Sequence, residues 1–593
     1  MKQFFKFMLA SFAGTLLTVI LILIVFAIMI TSLATMAQKE SVKIKPHTVL
    51  RIDWNAPIMD RGSQNPFVNF DFATMKPRRS IGLDDILANI DKAASDPDID
   101  GIFLDMETVP AGLATTEEIR NKLLDFKKTG KFIISYANNY DQKELYLASV
   151  SNKIYLNPEG LVLLKGLSAQ IMFFKKLMDK LDIKVQIIRG PNNKYKSAVE
   201  PYMLDKMSDA NREEMKYLLN SLWGKILTSL SESRHISIPE LNQLADNLSL
   251  SSAEQAKKVH LIDQIIYRDQ VLDTLKTLTH VAKDEPLSMI NFGKYTYVKP
   301  DEKSKEITRN TIAVIYAQGD INQGTGSDNS IGSVTLAKAI REARTNNHVK
   351  AIVMRVNSPG GDALAADIIR REVELAKDAK PFIVSMGDYA ASGGYWISTN
   401  SDYIFAQPTT ITGSIGVFGI IPDFQKFLDN KLGITFDKVM TNKNSDFVDI
   451  MSPLNPIQEQ RLNEGISRIY DQFTSLVAKT RHLRKTYVDS IGRGRVWSGT
   501  EALKLGLVDK MGGLQDAIAY AAKKAKLGKD YRIVNYPQRK EVLQQFIEQL
   551  SGKAQSMIIS SKLGNWSTYF NQFKAFENMK GVQARLPFLM QIQ

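Results

Sequence analysis

Laid over itself with an offset of about 249 residues, the sequence repeats, and no other feature constrains the fold as strongly. The stretch from Asp96 to Leu104 aligns with that from Asn346 to Met354, each a polar turn leading into a short apolar strand. Pro110-Ala111-Gly112 stands opposite Pro359-Gly360-Gly361, followed in both halves by a helix-period segment (117–128 and 363–379) and a strand (132–136 and 381–386). Pro158 faces Pro408, and residues 251–263 match 498–509. Short apolar strands alternating with helices, as at 312–316, 336–343, 351–356 and 363–379, predict βαβ units with right-handed crossovers and parallel strands, an α/β fold in each half. Helices over 210–231 and 456–482 also correspond. In the second, Asn455 suits the cap, Pro456 the first helical position and Gln458 the capping-box place. The expected organisation is a first repeat over 47–298, a polar, charge-rich linker over 299–309, a second repeat over 310–530 and an extension over 531–593 that includes an amphipathic helix near 541–550.

Residues 1–46 form a separate unit. No residue from 7 to 38 is charged, and 16–30 is almost wholly Leu, Ile, Val, Phe and Ala. About 20 apolar residues span a bilayer core, and the apolar region of a cleaved signal peptide is shorter than this run. An uncleaved anchor through the lipid bilayer is therefore expected, although Thr35-Met36-Ala37 imitates a cleavage site. Lys2 and Lys6 on one side nearly balance Lys39, Glu40, Lys43 and Lys45 on the other, so the flanking charges leave the orientation open. The chain as a whole is 44% hydrophobic and 23% charged, the balance of a protein that mostly folds in water. Having no cysteine excludes disulfides, iron-sulfur clusters, cysteine zinc sites and thiol nucleophiles. The net charge of +13 is spread thinly and reads as a solvated basic surface, with no nucleic-acid partner expected.

Two glycine-rich turns draw attention. Strand 351–356 runs into Asn357-Ser358-Pro359-Gly360-Gly361-Asp362, where paired glycines let backbone N–H groups face outward to hold an oxyanion or phosphate. The spacing is neither that of a P-loop nor Gly-x-Gly-x-x-Gly, which argues against a nucleotide cofactor. The next strand ends in Ala391-Ser392-Gly393-Gly394-Tyr395-Trp396, a hydroxyl among small residues just before an apolar helical run. Such a serine is open to attack chemistry, and alone it also fits a helix cap. Gly361 and Gly393 are placed to offer two amides to one oxyanion, and Thr412-Gly413-Ser414-Ile415-Gly416 reads as an open strand able to pair with an extended peptide.

A neutral serine needs a base. His47, His235, His260, His280, His348 and His482 all lie in linker-like or polar helical settings, away from the glycine loops, and no pair has zinc spacing; no metal is expected. A lysine can serve if burial lowers its pKa from about 10.4 to about 7 to 8. Together, Asn357 to Gly361, Ala391 to Trp396, Thr412 to Gly416 and the first-half run Tyr195-Lys196-Ser197-Ala198-Val199-Glu200-Pro201 closely resemble the signal peptide peptidase A, or protease IV, family in its long tandem-domain bacterial form. The resemblance covers nearly the whole chain. It implies a Clp-protease/crotonase-like fold in each half and a Ser-Lys dyad needing no cofactor. Ser392 would be nucleophile, Lys196 base, and Gly361 and Gly393 oxyanion donors, with Gly413, Ser414, Ile415 and Gly416 binding substrate. It further implies a homotetramer anchored in the cytoplasmic (inner) membrane, its soluble part in the periplasm, degrading released signal peptides and other hydrophobic peptides. Lys194 would share a strand face with Lys196, so spacing leaves the two open, and the resemblance selects Lys196.

The duplication offers a separate check. Opposite Ser392 the first half has Lys143, opposite Gly360 it has Ala111, and opposite Lys196 the second half has Asn444-Ser445-Asp446. Each half lacks what the other has, as expected if one site draws on both. Two other readings remain: a crotonase-like acyl-CoA enzyme, whose soluble chemistry gives the anchor no purpose, and a catalytically inert membrane scaffold.

Overall fold

The computed structural model describes residues 2–37, 42–62, 70–71, 76–77, 80–190, 192–298, 308–327, 330–538 and 582–586. Residues 299–307 of the expected linker and the expected helix at 541–550 lie outside them. The chain begins with one helix, Lys2–Ala37. Its stretch Gln3–Leu21 has a mean hydropathy of 1.9, is unburied by the rest of the protein, and is long and apolar enough to cross a membrane.

Two sheets of matching order follow. In the first half, strands Gln264–Ile265, Lys153–Leu156, Phe132–Ala137, Ile99–Asp105, Thr48–Ile52 and Met289–Asn291 lie side by side and all parallel. The second half repeats this with Lys510–Met511, Tyr403–Ala406, Phe382–Ala391, Val349–Ser358, Thr311–Gln318 and Arg532–Tyr536. The α/β class and the tandem arrangement are as expected. The strand Arg532–Tyr536 belongs to the second sheet, beyond the boundary expected at 530.

The strands are apolar throughout because helices cover both faces of a parallel sheet. Along Thr311–Gln318, Ala313, Ile315 and Ala317 join one buried cluster while Ile312, Val314 and Tyr316 join another on the opposite face. Helix Ala363–Ala379 packs Ala366, Ile369, Val373 and Ala376 inward at helical spacing. Asp362 caps it by accepting from Ala365 N–H at 2.7 Å, and it stops at Lys380 because Pro381 disfavours helix in the residue before it. Helix Pro456–Thr480 has the anticipated Asn455/Gln458 capping box.

A further sheet joins the halves. Strand Lys184–Arg189 of the first half pairs antiparallel with Phe418–Asp423 of the second, from Lys184 opposite Asp423 to Arg189 opposite Phe418. Buried charge tightens the same contact. Arg355 donates to Asp60 at 2.6 Å and lies 2.9 Å from Glu118, and Thr115 Oγ1 donates to Asp388 at 2.7 Å.

Candidate active site

Strand Phe382–Ala391 ends directly at Ser392, and helix Gly393–Ser398 begins at the next residue. Ser392 takes φ 54° and ψ −112°, a conformation that costs a non-glycine residue roughly 1–3 kcal/mol and persists only where the surroundings enforce it. They do so here: Ser392 N–H donates to the Gly413 carbonyl and Trp396 N–H to the Ser392 carbonyl, both at 2.8 Å. The side chain makes no capping bond to the helix, so the cap reading does not describe it. Its Oγ instead lies 2.8 Å from Lys196 Nζ and 3.3 Å from the Gly416 carbonyl.

Lys196 reaches this point from the other half. Strand Lys184–Arg189 carries the chain across the interface, and Tyr195 N–H then donates to the Arg493 carbonyl at 2.9 Å. Lys196 stands just before the short 3-10 turn Ser197–Val199 rather than in a strand, so the face argument that tied it to Lys194 does not apply. Lys194 is exposed, with its ammonium over the Tyr195 ring, whereas Lys196 is wholly buried. Gly494 admits the lysine backbone: a Cβ there would lie 2.6 Å from Lys196 N, Cα and Cβ, and its φ is +86°.

Lys196 Nζ has two further partners, the Ser414 hydroxyl at 2.9 Å and the Ser414 carbonyl at 3.1 Å. Burial pushes the Lys196 pKa well below its usual 10.5, opposed by the charge of Glu214. That opposition is weak at neutral pH, because burial pushes Glu214 itself up to about 8 although it accepts from Val496 N–H at 2.6 Å.

The two glycine turns meet beside Ser392. A Cβ on Gly393 would lie 3.2 Å from the Gly361 amide nitrogen, and one on Gly360 would lie 2.8 Å from that of Gly393. Gly413 to Gly416 differs from the open strand expected. Residues Ile411–Gly413 are paired on one side with Tyr389 to Ala391 and on the other with Val496–Ser498, and Ser414 turns its polar atoms to Lys196. The strands that meet an extended segment are Gly360–Asp362 and Phe418–Asp423, which flank Val582–Arg585. Glu214, Gly494 and the lysine contacts of Ser414 carry no local sequence signature; each depends on a partner far along the chain.

Among the described residues, the first half has no such constellation. In the first half Asp141 stands before helix Gln142–Ala148 as Ser392 stands before helix Gly393–Ser398, with no serine at 141–143. Gly112 and Asp362 are equivalent helix caps, so Ala111 stands opposite Gly361 rather than Gly360. The Lys143 Nζ donates to the Ala111 carbonyl at 2.8 Å. Of the histidines, His235 ends helix Asp209–Arg234 in a left-handed conformation, and His47 pairs with Asp100 at 2.9 Å.

The chain is similar in sequence to known peptidases. The pattern of Peptidase family S49 matches residues 125–282 and 374–528. "Protease 4" of Haemophilus influenzae is 38% identical over 452 residues, 74% of this chain and 72% of that one. "Protease 4" of Salmonella typhi is 37% identical over 80% of this chain and 77% of its own. "Serine protease SPPA, chloroplastic" of Arabidopsis thaliana is 32% identical over 86% and 75%. Among solved structures, ClpP1 from Listeria monocytogenes covers 34% of this chain and 92% of its own at 16% identity and a TM-score of 0.23.

Proposed function

The chain belongs to peptidase family S49 and is a serine protease, and from that premise we propose that it cleaves peptides through a Ser392–Lys196 dyad drawn from its two halves. The observation that carries this reading is the 2.8 Å separation of Lys196 Nζ and Ser392 Oγ within one chain, with both residues closed to solvent. A neutral lysine amine has two N–H donors and one lone pair. Ser414 Oγ and O accept the two donors, which leaves the lone pair for the Ser392 proton.

Ser392 Oγ then attacks the peptide carbonyl as Lys196 takes its proton. The amides of Gly361 and Gly393 receive the negative charge that develops on the carbonyl oxygen, and Lys196 protonates the leaving amine. Water cleaves the acyl-enzyme with the same lysine as base. The wider reading anchors the protein by Lys2–Ala37 in the cytoplasmic membrane, with its catalytic halves on the periplasmic face, as a homo-oligomer acting on released signal peptides and other hydrophobic peptides. The apolar character of the helix supports the anchor, and the names of the relatives support a protease.

A fluorophosphonate probe applied to the full chain in detergent tests the dyad. Wild-type protein reacts at Ser392, Ser392→Ala does not, and Lys196→Ala, still folded by circular dichroism, reacts at least about 100-fold more slowly, the low end of what a general base contributes. Equal reaction without Lys196 would reject the dyad.

A further inference from the structure

Glu214 is a buried acid beside the dyad that the reaction leaves unused. It lies in helix Asp209–Arg234 of the first half and is 1% exposed. A carboxyl taken out of water is costly unless its oxygens are engaged. Here Oε1 accepts from Val496 N–H at 2.6 Å, and Oε2 lies 3.4 Å from Ser197 Oγ. Both partners adjoin the dyad. Ser197 follows Lys196 and opens the turn Ser197–Val199. Val496 stands opposite Gly413 in an antiparallel pair, and the Gly413 carbonyl accepts from Ser392 N–H at 2.8 Å. The Arg495 carbonyl, one residue earlier, accepts from Ser414 N–H at 2.7 Å, and Ser414 meets Lys196 Nζ. One carboxyl of the first half thus reaches the segment of the lysine on one side and, on the other, the strand that fixes Gly413 and Ser414. Met215 and Leu218 of the same helix pack with Val496 and Ala391, which keeps the helix at this place.

Charged groups face Glu214 from both halves, Lys196 on the turn and Arg495 beside Val496. Arg495 is engaged elsewhere: its guanidinium lies 4.8 Å from the Tyr195 ring, 5.2 Å from that of Tyr217 and 4.5 Å from that of Trp497. Its Nη1 is 3.6 Å from Glu213, the exposed neighbour of Glu214 on the helix. Burial therefore prevails at Glu214 and pushes its pKa up to about 8, so at neutral pH the carboxyl is uncharged beside an uncharged lysine.

We propose that Glu214 is a positioning residue for the dyad, its carboxyl tying the turn that carries Lys196 to the strand that holds Gly413 and Ser414 in place around Ser392. The proposal rests on the Ser392–Lys196 reading. Two consequences follow from chemistry alone. Without the carboxyl the two segments lose their common partner, and the amine is less well placed to take the serine proton. With it, any ionisation of Glu214 adds to the proton affinity of Lys196, so an uncharged replacement makes the lysine lose its proton at lower pH.

The rate of fluorophosphonate reaction at Ser392, followed against pH on the full chain in detergent, tests this. Glu214→Gln keeps an acceptor for Val496 N–H and a donor toward Ser197. It is expected to retain the wild-type plateau rate to within about threefold, with the rise of rate with pH displaced downward by at least about half a pH unit. Glu214→Ala, melting cooperatively, is expected to have a plateau at least about tenfold lower. A Glu214→Gln profile superimposed on that of wild type would overturn the proposal, and this profile decides alone if Glu214→Ala does not fold. Lys196→Ala, run alongside, separates the two ways of failing. If it reacts at the wild-type rate, the dyad reading falls and the role of Glu214 falls with it. If it is slow while both Glu214 variants match wild type at every pH, the dyad stands and Glu214 does not position it.

Discussion

Ser414 meets Lys196 at two points, its hydroxyl oxygen 2.9 Å and its carbonyl oxygen 3.1 Å from the lysine Nζ. Ser392, the third partner, then lies on the remaining side of the amine at 2.8 Å. The geometry assigns Ser414 to holding the lysine, where the sequence reading had it among substrate-binding residues. Replacing it separates the two roles. Ser414→Ala keeps the carbonyl contact and removes the hydroxyl, a hydrogen bond of about 0.5–1.5 kcal/mol. The expected result is a kcat lower by about tenfold with KM little changed. A raised KM with kcat intact would return Ser414 to the substrate.

Burial of Lys196 has a consequence for stability whose sign is set by proton binding. The folded lysine has a pKa well below 10.5, whereas the unfolded one titrates near 10.5. Between those values the unfolded chain holds a proton that the folded chain lacks, so this residue makes unfolding easier at low pH and the penalty fades as pH rises toward 10.5. Lys196→Met removes the titration and keeps an unbranched apolar side chain. Its melting temperature relative to wild type should therefore fall as pH rises from about 6.5 to about 9.5, by up to about 1.4 kcal/mol of stability per pH unit. The loss of partners for Ser392 and Ser414 offsets both ends of the series alike, so the slope carries the test. A difference independent of pH would mean that Lys196 is not the depressed group.

Ser392 and the glycine turns stood out in the sequence because each sits at a strand end with a distinctive local pattern, as at Ala391 to Trp396, whereas Lys196 was selected over Lys194 only by the family resemblance. The duplicated sheets were legible for a related reason: apolar runs such as those at 312–316 and 351–356 are buried on both faces and recur in register. What escaped depends on contacts between distant residues. Ser414 approaches Lys196 across 218 positions, and Glu214 approaches Val496 across 282. The choice between Lys194 and Lys196 could not come from strand alternation, since the segment turns instead of extending, and burial distinguishes them. The Gly413 to Gly416 run looked like an open edge because glycine and serine permit one. Its neighbours at 389–391 and 496–498 close it, and the segment that meets Gly360 to Asp362 lies more than 200 residues further on.

Gly494 offers a test of how closely the second half must fit the lysine of the first. Its amide donates to the Ile415 carbonyl at 2.8 Å while the adjacent Arg493 carbonyl accepts from Tyr195 N–H at 2.9 Å, so one loop holds the chain on either side of the Lys196–Ser414 contact. An added methyl would sit 2.6 Å from three Lys196 atoms, two of them backbone, and the positive φ would add roughly 1–2 kcal/mol of its own. Gly528 separates these effects: its φ is +59° and nothing lies within 4 Å of a Cβ built there. Gly528→Ala should lower the melting temperature slightly and leave fluorophosphonate reaction at Ser392 unchanged. Gly494→Ala should cut that reaction by at least about tenfold in protein that still melts cooperatively, because a lysine displaced by even about half an ångström no longer shares its lone pair with the serine proton. Equal reaction in the two variants would show that the loop bears on stability alone and that Lys196 keeps its place without it.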